Sequence, residues 1–391
     1  MTELPDWAEW KPGSEYTLGV EEEAMLLNPH DWSLAQQMDR VLPTLSPELS
    51  AHVTTETHRS ALEMKTGAHP TAAEAAEELL ALRCKLEDEL SPLGLRCASA
   101  ATHPFTVWHE TVLSTGPRYE VVYGSLRELA RREPTFALHV HVGVPDGERG
   151  IQLVNRMRAH MPLLLALSVN SPFWQGRDTG LASARTPLFQ AFPRVGIPRA
   201  FKDYADWIDT VALLISCEAF PDPTFLWWDV RPQPRFGTVE VRILDAQMTV
   251  AETAALTALV QCIARLETEE GYASDKLVRR REVLEENRFS AARDGMSGEF
   301  IDPDAECRTK ASKLLDDLLD ACRPHAQDLS CAAELEPIPE MARTTGARRQ
   351  LEMARGPGRL PGLVSRLADA FTHEGPLEVD ESADDLRTGR T

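Results

Sequence analysis

The stretch Thr17-Leu18-Gly19-Val20-Glu21-Glu22-Glu23-Ala24-Met25-Leu26-Leu27 puts carboxylates inside an otherwise apolar strand. Side chains alternate across a strand, so Leu18, Val20, Ala24 and Leu26 share one face and Gly19, Glu21 and Glu23 the other. Two neighbouring carboxylates on one face repel each other unless a cation sits between them. Glu22 falls on the apolar face, where it must find a partner or mark an irregularity. A single Glu triplet is ordinarily a solvated charge run. Repetition of the arrangement changes its meaning.

Three further stretches carry one aliphatic and one chemical face. Ala61 to Thr66 sets Leu62 and Met64 against Glu63 and Lys65, with Glu56 seven residues before Glu63 and within reach of the same site. Ala137 to Val144 sends Leu138, Val140, Val142 and Val144 inward and leaves His139 and His141 with Gly143 on the other side. Phe236 to Ile243 buries Val239, Val241 and Ile243 and shows Glu240 and Arg242. Each alone is ordinary, a Glu–Arg bridge or a satisfied core histidine. An antiparallel sheet covered by helices on one side and open to a cleft on the other would gather Glu21, Glu23, Glu63, His139, Glu240 and Arg242 on one concave surface.

Helical periodicity covers 71–90, where Leu79, Leu82, Leu86 and Leu90 form a stripe, and further segments at 119–132, 151–169, 202–217, 250–268, 275–287 and 309–322. An antiparallel sheet of such strands backed by these helices makes an α+β chain. Leu95 to Ala101 reads as another buried strand. The segment 170–198 is rich in Gly, Pro, Arg and aromatics, and a loop of about 30 residues in a compact domain is usually functional. Residues 1–374 read as one domain, and 375–391 as an acidic, disordered tail.

With 41 basic and 61 acidic residues the net charge is −20, which disfavours nucleic acid or an anionic membrane as the main partner. Seven scattered cysteines, without a Cys-x-x-Cys pair, fit neither a disulfide framework nor a zinc ribbon. The N-terminus lacks signal-peptide regions, and Met161 to Val169 is too short an apolar run to cross a bilayer. A reducing cytoplasm is the expected location.

Oxygen ligands with one or two imidazoles suit Mg²⁺ or Mn²⁺, and several carboxylates imply more than one ion. Clustered divalent ions most often serve phosphate chemistry. Neither a P-loop nor a Gly-x-Gly-x-x-Gly motif is present, so nucleotide would be held by metals and arginines on the sheet. The residues alone lead to a Mg-dependent, ATP-using enzyme.

The motifs Gly19-Val20-Glu21-Glu22-Glu23, Asn170-Ser171-Pro172-Phe173-Trp174-Gln175-Gly176-Arg177-Asp178-Thr179-Gly180 and Phe236-Gly237-Thr238-Val239-Glu240-Val241-Arg242 occur in that order. Weaker echoes are His139-Val140-His141-Val142-Gly143 and Thr345-Gly346-Ala347-Arg348-Arg349-Gln350. On these the chain resembles the carboxylate–amine ligases of the glutamate–cysteine ligase type 2 family, within the glutamine synthetase-like superfamily, from about Tyr16 to Gln350.

The resemblance implies an antiparallel sheet backed by helices and forming an open funnel-like site for ATP and Mg²⁺ or Mn²⁺. It implies metal ligands at Glu21, Glu23, Glu56, Glu63, His139 and Glu240, with Arg242 facing the transferring phosphoryl group and Glu240 beside it as the catalytic pair. Lys65 and His141 join Arg242 on the nucleotide side. Arg177, Asp178, Ser183, Arg185 and Arg194 would hold the amino-acid substrate. The implied reaction joins a carboxylate to an amine through an acyl phosphate, by default L-glutamate and L-cysteine. A different acid and amine, a phosphotransferase, or a non-catalytic nucleotide-binding member stay open, and exposed helical faces allow a homodimer.

Overall fold

The computed structural model describes residues 4–132, 134–355, 359–373 and 375. Its centre is a seven-stranded sheet: β1 (Leu18–Leu27), β2 (Val53–Thr55), β3 (Ala61–Lys65), β4 (Arg96–Ala98), β5 (Ala137–Gly143), β6 (Val230–Gln233) and β7 (Thr238–Asp245). The order is β6-β7-β5-β1-β3-β2, with β4 paired to the end of β1, and each of these pairings is antiparallel. The fold is α+β, an antiparallel sheet backed by helices as expected.

The aliphatic faces of the strands share one core. Leu18, Val20, Leu62, Met64, Val140, Val142, Val239 and Val241 pack with helices Ala72–Leu90 and Val250–Glu269. The first helix is capped by Thr71, whose hydroxyl accepts from the Glu74 N–H, and it buries Leu79, Leu82, Leu86 and Leu90. The second begins with a Thr249/Glu252 capping box and is buried on nearly every side, as a helix between a sheet and other helices must be.

Glu22 finds its partner here. Arg83 is wholly buried and donates to both Glu22 oxygens at 2.8 and 2.6 Å, and to the carbonyls of Met248, Phe371 and Gln247 at 3.0, 2.8 and 3.1 Å. Those five bonds use all five guanidinium N–H groups.

Several segments differ from their periodicity. The expected helix 151–169 is two helices, Gly147–Met157 and Met161–Ser168, joined by a 3₁₀ turn, because Pro162 is tolerated only in a first helical turn. Segment 119–132 is Pro117–Leu126 followed by a 3₁₀ turn, and 275–287 divides into Asp275–Val278 and Arg281–Asp294. The helix expected at 309–322 runs as Ala311–Asp328, through Pro324. Of the strand expected at 95–101, only Arg96–Ala98 pairs. The long loop carries a hairpin, Phe173–Trp174 with Arg177–Asp178, and a short helix, Arg185–Phe189. The tail expected from Gly375 lies, apart from that residue, outside the described residues. Among the described residues no helix is long and apolar enough to cross a membrane.

Candidate active site

Register assembles the polar face. Pairing sets Glu21 between His139 on β5 and Lys65 on β3, Glu23 opposite Glu63, Glu240 opposite His141, and Arg231 opposite Glu240. Between Val241 and Leu244 the register of β7 against β5 shifts.

The centre of this face is crowded with carboxylates. Lys65 Nζ lies 2.6 Å from Glu63 and 3.3 Å from Glu21. His139 Nδ1 is 3.4 Å from Glu21 and 3.8 Å from Glu240, while its Nε2 is 3.9 Å from Glu23. His141 Nε2 is 3.7 Å from Glu21. Glu23 also accepts the Ala137 N–H at 2.7 Å.

Burial, together with Glu21 and Glu56, pushes the Glu63 carboxyl up to about 8. Burial, Glu56 and Glu63 hold Glu23 well above the carboxylate range, and burial raises Glu56. Glu21 goes the other way: burial opposes its charge, but His139, His141 and Lys65 outweigh it. Burial and then Arg242 press His139 down to about 3, so its imidazole is neutral and keeps a lone pair for a ligand. Burial also pulls on His141, yet Glu240 and Glu21 hold it above the ordinary histidine value.

This donor set fits divalent cations. Glu21, His139 and Glu240 form one group, and Glu23, Glu63 and His139 another, each offering one ligand atom per residue within 4.8 Å of the rest. Two oxygens bound to one Mg²⁺ or Ca²⁺ are separated by at most about 4–5 Å, and a neutral imidazole is the ligating form. The raised carboxyls are held there first by burial and, for Glu23 and Glu63, then by neighbouring carboxylates. Glu56, half-buried beside them, accepts from the Thr57 N–H at 3.1 Å and belongs to neither group.

Glu240 is fully buried and accepts from Arg231 at 2.7 and 3.2 Å, from Gln233 at 2.6 Å and from Arg242. All four of its acceptor positions are thus taken, and it would have to release a partner to reach an ion. Arg242 keeps an unpartnered Nε among the described residues, and its Nη1 lies 3.4 Å from His139.

The five loop residues expected at the substrate go to different places. Ser183 is wholly buried and donates to Asp245 at 3.1 Å, as Ser171 does at 2.8 Å, while the Asn170 N–H donates to the same carboxylate at 2.8 Å. These bonds clamp the end of β7. Arg185 lies behind Arg242, donating to the carbonyls of Ile243 and Arg242 at 3.0 and 3.1 Å. Arg177 and Asp178 stand exposed on the hairpin, where Asp178 accepts the Gly180 N–H at 2.9 Å. Half-buried Arg194 sits 5.3 Å from the ring centres of both Phe220 and Trp227 and donates to the Phe225 carbonyl. Of the five, Arg185 shares a narrow cleft with Arg242, lined also by Thr186, Phe189, Trp227, Asp229, Ile243 and Arg288.

The echo at 345–350 is a packing device. A side chain at Gly346 would collide with Asn170, and Gln350 donates to the Asn170 carbonyl and side-chain oxygen at 2.7 and 2.8 Å. Sequence reasoning missed Arg231 and Gln233, although alternation through Asp229, Arg231 and Gln233 and a hairpin to Glu240 carry the signal. Arg288 and Asp229 lie in no motif, so they too went unseen.

The profile of Glutamate-cysteine ligase family 2 matches residues 17–369. A Rubrobacter xylanophilus relative that carries the name glutamate–cysteine ligase 2-1 provisionally is 40% identical over 363 residues, 92% of this chain and 96% of the relative. One from Herpetosiphon aurantiacus, provisionally named glutamate–cysteine ligase 2, is 34% identical over 369 residues, 94% and 96% of the two chains. The fold is shared with the glutamate–cysteine ligase of Francisella tularensis, solved in complex with AMP, at 13% identity and a TM-score of 0.67 over 93% of this chain and 90% of that one. A bifunctional glutathione synthetase from Pasteurella multocida aligns at 12% identity and a TM-score of 0.68, covering 92% of this chain and 52% of its own.

Fold and sequence together define an ATP-dependent carbon–nitrogen ligase. The chain belongs to glutamate–cysteine ligase family 2.

Proposed function

We propose that this ligase joins the carboxylate of one amino acid to the amine of another through an acyl phosphate, by default L-glutamate and L-cysteine giving γ-glutamylcysteine, ADP and phosphate. The observation that carries the reading is the sheet face itself, where Glu21, Glu23, Glu63 and His139 converge beside an Arg242 with an unspent donor. Those four residues would hold divalent cations, with Glu56 alongside and Glu240 after releasing a partner. When bound, the ions supply neutralisation of phosphate oxygens.

A carboxylate is a poor acyl donor in water because its oxygen leaves badly. In the proposed reaction its oxygen attacks the γ-phosphorus of ATP and ADP departs. The amine then attacks the acyl carbon, loses a proton, and phosphate leaves. Arg242 offers a planar fork to the oxygens of the phosphoryl group, held in direction by Glu240. Lys65 and His141 lie on either side of Glu21, where the Lys65 ammonium would place positive charge for the nucleotide and His141 a hydrogen-bonding nitrogen.

The test incubates the protein with ATP, Mg²⁺, L-glutamate and a panel of amines, and follows ADP and amide. ADP and amide formed one for one, with a hydroxamate when hydroxylamine is the amine, support the reading. A stable phosphorylated acid that accumulates without amide would sink it in favour of a phosphotransferase.

A further inference from the structure

The hairpin between β6 and β7 sets a phenylalanine at the edge of the polar face, and the reaction above gives it no part. Phe236 is 55% exposed, although its turn is firmly held. Its N–H donates to the Gln233 carbonyl at 3.0 Å, and the Gly237 N–H donates to the Pro234 carbonyl at 3.1 Å. Residues 11–13 brace the turn from outside: the Lys11 N–H also reaches the Pro234 carbonyl, at 2.9 Å, and the Val144 N–H donates to the Gly237 carbonyl at 2.8 Å. Gly237 sits at φ +65°, and a Cβ there would collide with the Lys11 carbonyl. A single exposed apolar side chain is ordinary. Its position gives this one a meaning.

Alternation along the strand puts Phe236, Thr238, Glu240 and Arg242 on one face. The Thr238 hydroxyl lies 2.9 Å from His141 Nδ1, and Glu240 stands opposite His141 in the register. The Phe236 ring stands nearly perpendicular to the His141 imidazole, with centres 5.9 Å apart. His141 Nε2 is buried and lacks a hydrogen-bond partner among the described residues. One line of side chains therefore runs from Arg242, at the phosphoryl end, past His141 to Phe236.

The two ends of that line differ. Beyond Arg242 the strand runs into buried Asp245, clamped by Asn170, Ser171 and Ser183. Toward β3 the face carries Glu63 and Lys65, groups for ions and phosphate and not for an aromatic base. At Phe236 the face opens to solvent, and the Arg235 guanidinium stands over the ring, 5.9 Å from its centre. A nucleotide whose phosphates lie at Arg242 has its open path toward this ring.

We infer that Phe236 is the stacking platform for the base of the nucleotide. The inference rests on the reading of this face as the ATP site and adds which residue holds the base. Every base has a π-face, so stacking on an aromatic ring binds without hydrogen-bond readout and shifts affinity on the order of tenfold. The same ring would then serve GTP as well as ATP, and any choice between them falls to other groups.

The experiment compares the wild type, Phe236→Ala and Phe236→Trp in steady-state kinetics and in saturation-transfer NMR of ADP with Mg²⁺. Phe236→Ala should raise KM for ATP and for GTP about tenfold, with a much smaller change in kcat and KM for L-glutamate within twofold. Phe236→Trp should restore KM for ATP to within threefold of the wild type. Tripolyphosphate keeps the phosphates and lacks the base, so its inhibition constant should differ by less than twofold between the wild type and Phe236→Ala. In the NMR experiment the wild type should saturate the adenine H2 and H8 protons, and Phe236→Ala should lose that signal. An unchanged KM for ATP in Phe236→Ala, with turnover intact, overturns the platform and leaves the ligase reading standing. An equal loss for ATP and tripolyphosphate also overturns it, because Phe236 would then act on the phosphate end through His141. Absence of amine-dependent ADP from the wild type overturns the ligase reading, while adenine saturation that Phe236→Ala loses would still support the platform.

Discussion

Glu22 and Arg83 stand opposite each other in the core as a bidentate ion pair, at 2.8 and 2.6 Å, with neither side chain exposed to solvent. The pair joins the central strand β1 to the helix Ala72–Leu90, and through the Phe371 carbonyl to the end of the helix Arg359–Ala370. It lies on the back of the sheet, directly behind the residues that form the site. Breaking one partner leaves a buried charge, so Glu22→Gln or Arg83→Met should each cost about 3–5 kcal/mol. Denaturant titration checks this. The double variant Glu22→Leu with Arg83→Met should lose less than the sum of the two singles. Strictly additive losses would mean that the pair does not act as a unit.

Glu21 touches His139, His141 and Lys65 at once. Glu21→Ala should reduce turnover at least a hundredfold, weaken Mn²⁺ binding measured by electron paramagnetic resonance, and leave the circular dichroism spectrum unchanged. Full activity in that variant would remove Glu21 from the proposed ligand set.

Arg242 is separable from the metal question, since its role depends on geometry and not on charge alone. Arg242→Lys preserves a cation beside Glu240 but removes the planar fork. Loss of one such donor typically costs about 10²–10³ in kcat. The expected result is a fall of that size in kcat with KM for ATP little changed, and steady-state kinetics with an unaltered kcat would refute it.

His103 and His58 are buried, and burial presses each imidazole down to about 4 from 6.5. His103 Nδ1 accepts from the Thr106 N–H at 3.0 Å while Nε2 faces the Trp32 carbonyl at 2.9 Å. Both histidines must stay neutral in the folded protein. Below pH 6.5 the unfolded chain takes up protons that the folded one refuses, so stability present above 6.5 is lost as pH falls toward 4. Each residue contributes up to about 3 kcal/mol across that window. Thermal unfolding at pH 4.5–7.5 should show the decline, and His103→Gln should flatten part of it. An equal slope in that variant would exclude His103 as a contributor.

The polar face was legible because a strand repeats every two residues. That period puts Glu21 with Glu23, Glu63 with Lys65, His139 with His141 and Glu240 with Arg242 without any knowledge of partners. It also demanded a buried partner for Glu22. The loop motif has a structural side that its sequence does not display. Asn170, Ser171 and Ser183 are polar residues in a functional-looking segment, yet they serve to satisfy the buried Asp245 carboxylate. A polar side chain that clamps a strand end and one that holds a ligand read alike in a sequence.

Local chemistry was therefore decided within each segment: which residues share a face, where helices start, and which strand carries acids. Which faces meet was decided only in the folded chain. Register set Glu21 between His139 and Lys65 and Glu240 opposite His141, and packing of the helix Arg281–Asp294 brought Arg288 to Asp229. Period-two alternation is a property of covalent geometry, so it survives without context. Contacts between residues dozens of positions apart depend on how the core closes, which no single segment encodes.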